Sequence, residues 1–100
     1  MTTAPPKTKD ILLAVESATG VPVSAMLADN RLHATSYARF LAMRIFAETH
    51  PWASHLDAAK AVGKKDPSTG RHGLMRSEYL MENDAAFRLA HKRAMEILNQ

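Results

Sequence analysis

The feature that most constrains this chain is the run from Ala58 to Thr69, which reads Ala-Ala-Lys-Ala-Val-Gly-Lys-Lys-Asp-Pro-Ser-Thr. An alanine-rich segment ends at Gly63, a residue free to take the positive φ of a helix C-cap or abrupt turn. Lys64 and Lys65 follow as the turn. Asp66 and Pro67 then supply a helix start, with an aspartate N-cap and a proline whose missing N–H costs nothing at the first helical position. Two helices joined by so short a turn must pack against each other as a helical hairpin or helix-turn-helix.

The rest of the chain agrees with an all-α fold. Ile11, Leu12, Val15 and Ala18 recur at helical spacing, and Gly20 with Pro22 closes that segment. Ser24 is expected to cap a short turn of helix through Leu27, with Asp29-Asn30 as a loop. A longer helix is expected from about Thr35 to about Thr49, its wide apolar face formed by Tyr37, Phe40, Leu41, Ala42, Ile45 and Ala47, with Pro51 ending it. Ser54 and Asp57 have capping-box spacing, with aspartate in place of glutamate. The helix opened by Asp66 should reach about Met81. A last one should run from about Asn83 or Asp84 to Leu98. No strand pattern, repeat or low-complexity tract interrupts this series. The expectation is one domain of five or six helices over residues 8–100, behind a disordered tail at residues 1–7.

Function classes narrow in the same way. There is no cysteine, so disulfides and thiolate metal sites are absent. The first residues, Met1 to Pro6, lack the apolar run of a signal peptide, and no stretch approaches the length of a membrane span. A cytoplasmic, nucleoid-associated protein without a membrane partner is expected. The net charge is only +3, but it is unevenly placed. Between Arg31 and Arg76 there are eight basic residues against three acidic ones, whereas the rest of the chain holds five against seven. A positive centre suggests a polyanion as partner.

The helix after Asp66 divides into two faces. Gly70, Gly73, Leu74, Ser77 and Met81 share one, where two glycines costing about 1 kcal/mol each against alanine imply close packing. Ser68, Arg71, His72, Met75, Arg76 and Tyr79 occupy the remainder. Ser68 and Thr69 are expected to present hydroxyls and free N–H groups at the positive end of the helix, with Lys64 and Lys65 beside them to touch phosphate. His50 and His55 do not make a metal pair on this pattern, and no nucleophile surrounds His72, so no catalytic residue, metal or cofactor is assigned. Trp52 is read as a core residue, and the methionines at 26, 43, 75, 81 and 95 as packing residues.

Three segments in order carry a resemblance: Val21 to Leu27, the Ala38-Arg39-Phe40-Leu41-Ala42-Met43 stretch, and Val62 to Thr69 with His72. Together they resemble the C-terminal DNA-binding domain of the bacterial chromosomal replication initiator DnaA, a helix-turn-helix fold related to that of the Trp repressor. The resemblance spans about nine-tenths of the chain. It implies that Arg39 enters a minor groove, that Asp66, Ser68, Thr69 and His72 face bases or phosphates in the major groove, and that Lys65 is the basic residue of the turn. With Lys64, Pro67, Arg71 and Arg76, these make the expected DNA-binding set. Pro67 stands where the family usually has a base-reading histidine, and Gly70 and Arg71 where it has two apolar residues, so the recognised sequence should differ. There is no phosphate loop and no room for an ATPase domain. The resemblance therefore implies a DNA-reading domain standing alone, or a fragment, regulating replication initiation or transcription at initiator-box-like sites. The rival expectation is an interaction module that kept the fold, lost DNA and binds a replication or transcription protein through the Trp52 and Met75 surfaces.

Overall fold

Local hydrogen bonds set most helix boundaries in the computed structural model, which describes residues 4–100. Gly20, at φ 80°, ends α1 (Thr8–Thr19) in a left-handed turn whose N–H donates to the Glu16 carbonyl. The next helix, α2 (Val23–Leu27), starts two residues earlier than a Ser24 cap would place it. Pro22 is its N-cap, and the Val23 N–H is met instead by the Glu16 carboxylate at 2.7 Å. Glu16 thereby holds the end of α1 to the start of α2.

The long helix α3 (His33–Thr49) begins two residues before the expected Thr35, because its N-cap is Leu32, a residue with no side-chain capping signal. After it come α4 (His55–Ala61) and α5 (Pro67–Asn83). Ser54 and Asp57 close the capping box, each side chain accepting from the other residue's N–H, at 3.2 Å and 3.1 Å. Asp84 then both ends α5 and caps α6 (Ala85–Leu98), accepting from the Phe87 N–H at 3.1 Å. Among the described residues the fold is six helices without a strand, and no helix is long and apolar enough to cross a membrane.

All the other helices pack against α3. Its buried residues Ala38, Leu41, Ala42, Met43, Ile45 and Phe46 meet Ile11 and Val15 of α1, Met26 of α2, Val62 after α4 and Phe87 of α6 in one continuous core. Tyr37 meets the edge of Phe87 at 5.1 Å between ring centroids. Burial, helped by the Asp84 charge, raises its phenol pKa. A second tie between α3 and α6 is the His91–Glu48 contact at 2.6 Å. With α1 and α6 packed together on one side of α3 and α4 with α5 on another, the helical hairpin rests on a scaffold.

Two expectations about packing are corrected. Trp52 is not a core residue: it is 71% exposed in the turn after Pro51, touching only the edge of His50 among the aromatic rings. It sits in the short α3–α4 connection, and the ring stacked on Phe46, with centroids 4.4 Å apart, is that of His50. Met26 and Met43 are buried as expected, whereas Met75 is 59% exposed because it lies opposite the packed face of α5. The tail expected to be disordered falls partly outside the described residues, at positions 1–3. Residues 4–6 line a groove beside α1 and the end of α6.

Candidate nucleic-acid interface

The site is built on the crossing of α4 and α5. Val62 is buried, Gly63 takes φ 76°, and the Lys64 N–H returns to the Ala59 carbonyl at 2.9 Å. That hydrogen bond closes the turn. Gly70 then lies directly under the backbone of His55, where a Cβ would overlap the His55 carbonyl. Gly73 makes room for the end of the Met43 side chain. Ser77, fully buried, completes this small-residue face, its hydroxyl returned to the Leu74 carbonyl at 2.7 Å. Gly70, Gly73 and Ser77 lie three and four residues apart, so one side of α5 sits flush on α3 and α4.

The opposite side faces outward. Lys65, Asp66, Pro67, Ser68, Arg71, His72, Met75, Arg76 and Tyr79 are all exposed, and Thr69 is half-buried. Ser68, His72, Met75 and Tyr79 fall on a single outward stripe, spaced by four, three and four residues. Arg76 lies over the Tyr79 ring, 5.0 Å from its centroid. His72 meets the edge of Phe40 at 6.0 Å, which fixes its ring on the flank toward α3. The fold thus brings together the turn, the first helical turn and the cations Arg71 and Arg76 on one side of the hairpin.

Arg39 is not among them. It is only 8% exposed, and its guanidinium is spent on backbone carbonyls. Nε donates to Met26 O at 2.7 Å, Nη1 to Asn30 O at 2.7 Å, and Nη2 to both Ala25 O (3.3 Å) and Ala28 O. Burial lowers the pKa of this group, and the Asp29 charge opposes that shift. A planar fork of five donors suits carbonyls gathered at the end of a short helix, where no following turn supplies their N–H partners. The expected minor-groove role of Arg39 is therefore replaced by an internal one, since a groove contact would strip the α2–α3 loop of its anchor. The arginine exposed in that region is Arg31, which the expected site omitted.

The start of α5 also differs from the expected row of free N–H groups. Pro67 has no N–H. The Ser68 N–H donates to the Asp66 carboxylate at 2.9 Å, and the Thr69 N–H to the Asp66 carbonyl at 3.0 Å. Asp66 thus places its own negative charge at the positive end of the helix, where a bound phosphate would otherwise sit. What remains for a polyanion is side-chain chemistry: the Ser68 hydroxyl, the His72 ring, and the charges of Lys65, Arg71 and Arg76.

The two lysines of the turn are unlike. Lys65 is exposed. Lys64 has only 24% of its side-chain surface exposed, and its Nζ lies 3.3 Å from Ala28 O and 4.0 Å from the Asp29 carboxylate. Met75 and Tyr79 were outside the expected contact set, although their spacing from Ser68 and His72 marks the same stripe. Being apolar or aromatic, they gave no charge signal.

Compared with protein-family models, with curated proteins and with solved structures, the chain has no match.

Proposed function

We propose that this chain binds double-stranded DNA through the α4–turn–α5 unit, with the outward stripe of α5 laid in the major groove. The observation that carries the reading is the two-sided nature of α5. Glycines and a serine seat one face on the scaffold, while the other presents hydroxyl, imidazole and guanidinium groups beside Lys65. An α-helix fits the major groove, where serine hydroxyls and arginines can address base edges and lysines the phosphates. The motifs shared with the replication initiator domain support the same reading. They extend it to a regulator of replication initiation or transcription that acts at the nucleoid on initiator-box-like sites. The role needs no ATPase.

Titrating a pool of random-sequence duplexes at two salt concentrations tests it. Affinity should fall steeply as salt rises, because phosphate contacts release counterions, and one short motif should be enriched in the bound fraction. Absence of duplex binding at low salt overturns the reading.

A second reading, a protein-interaction module, is favoured by one observation: Met75 and Tyr79 expose apolar surface on α5 at 59% and 53%. It predicts capture of a replication or transcription protein that resists nuclease and Lys65→Ala, and is lost with Met75→Ala or Tyr79→Ala.

A further inference from the structure

Two side chains, one 11 and the other 36 residues along the chain from Ala28, meet at its backbone oxygen. From the interior, the Arg39 guanidinium donates to the Ala28 carbonyl. From the solvent side, Lys64 Nζ reaches the same carbonyl at 3.3 Å. A carbonyl oxygen has two lone pairs, so it can accept both. Next to this point, the turn and the end of α2 also pack directly: a Cβ at Gly63 would sit 3.2 Å from Leu27 Cδ2. The segment between α2 and α3 has little else to hold it. Asn30 Nδ2 donates to Ala25 O at 3.2 Å, its Oδ1 accepts from the Leu32 N–H at 3.4 Å, and Arg39 holds Asn30 O.

We infer that the Ala28 carbonyl is a junction through which Arg39 and Lys64 fix the α2–α3 loop to the helix-turn-helix turn. Lys64 is then a positioning residue for that loop, and Lys65 is the phosphate contact of the turn. Lys64 is sheltered and engaged before any ligand arrives, and to reach a phosphate it must leave both the carbonyl and Asp29. Lys65 has no such engagement and gives up nothing. The consequence for DNA rests on the proposed function; the junction itself does not.

The test compares Lys64→Gln with Lys65→Gln. In the free protein, hydrogen exchange of the hydrogen-bonded amides of the loop, Ala28 (to Ala25 O) and Leu32 (to Asn30 Oδ1), should quicken several-fold in Lys64→Gln and stay unchanged in Lys65→Gln, with protection elsewhere preserved in both. In duplex binding, Lys65→Gln should lower the slope of log affinity against log salt by about 0.9, the value of one phosphate contact, while Lys64→Gln keeps the wild-type slope. Unchanged loop exchange in Lys64→Gln overturns the junction, as does exchange raised evenly along the chain, which marks a general loss of stability. A Lys64→Gln slope reduced as much as that of Lys65→Gln overturns the division of labour. If the wild-type protein shows no salt-dependent duplex binding, the proposed function falls, and the exchange measurement alone decides the junction.

Discussion

The His55 carbonyl lies where a side chain on residue 70 would begin, so Gly70 and His55 share a backbone-to-backbone contact that admits no Cβ. This contact sets how closely α5 approaches the start of α4, and through it the direction in which the outward stripe points. Gly73 has a softer neighbour, the flexible end of Met43.

Gly70→Ala should therefore be destabilising, by about 1–3 kcal/mol, even after the gain in helix propensity. For a domain of this size that lowers Tm by roughly 4–8 °C per kcal/mol. Gly73→Ala should cost clearly less, because Met43 can rotate away. Calorimetry on the two variants checks the order; equal melting temperatures would contradict the backbone contact.

Arg39→Ala should act on stability rather than as the loss of a DNA contact. Removing the guanidinium leaves the Met26 and Asn30 carbonyls without a donor, at a cost of about 1–3 kcal/mol for each that stays dry. Arg39→Lys should recover little, since a point-like ammonium cannot span acceptors arranged for a fork. Urea unfolding reads both. Wild-type stability in either variant, joined to weakened duplex binding, would restore the groove role.

Asp57 should make stability depend on acid. The hydrogen bond from the Ser54 backbone, then that with the Ser54 side chain, holds its carboxyl below the ordinary range in the folded chain, with a smaller contribution from Lys60. A folded pKa below the unfolded one adds stability that is complete above about pH 5 and is lost as pH falls below about 4. The gap in urea midpoint between the wild type and Asp57→Asn should narrow as pH is lowered from 5 to 2. A gap independent of pH would argue against the capping role of the charged form.

Trp52→Ala should change stability by less than about 0.5 kcal/mol, as expected of a surface position. The emission maximum of this single tryptophan should shift little on unfolding. A large blue shift in the folded state would place the ring inside.

On the proposed interface, Ser68→Ala and His72→Ala should relax preference at individual base pairs by about 1–3 kcal/mol each, while Arg71→Ala should weaken binding to all sequences alike. Binding to variant duplexes distinguishes the two patterns. Uniform losses from Ser68→Ala would place the stripe outside the groove.

The sequence by itself determined the elements whose hydrogen bonds close within one helical turn. The Ser54–Asp57 box, the Asp66–Pro67 start and the Gly20 and Gly63 stops need only residues two to four apart, so chain connectivity brings the partners together in any tertiary setting. Where no capping side chain marked the boundary, as at Leu32 and Pro22, the expected starts drifted by two residues. Only the tertiary structure decided the fate of groups that reach further. Arg39 spans 9 to 14 residues to its carbonyls and Lys64 spans 36. Trp52 is exposed, and it is His50 that stacks on Phe46. A long or polarisable side chain can serve a surface or an interior equally well, and which it serves depends on which acceptors the packed fold leaves without partners.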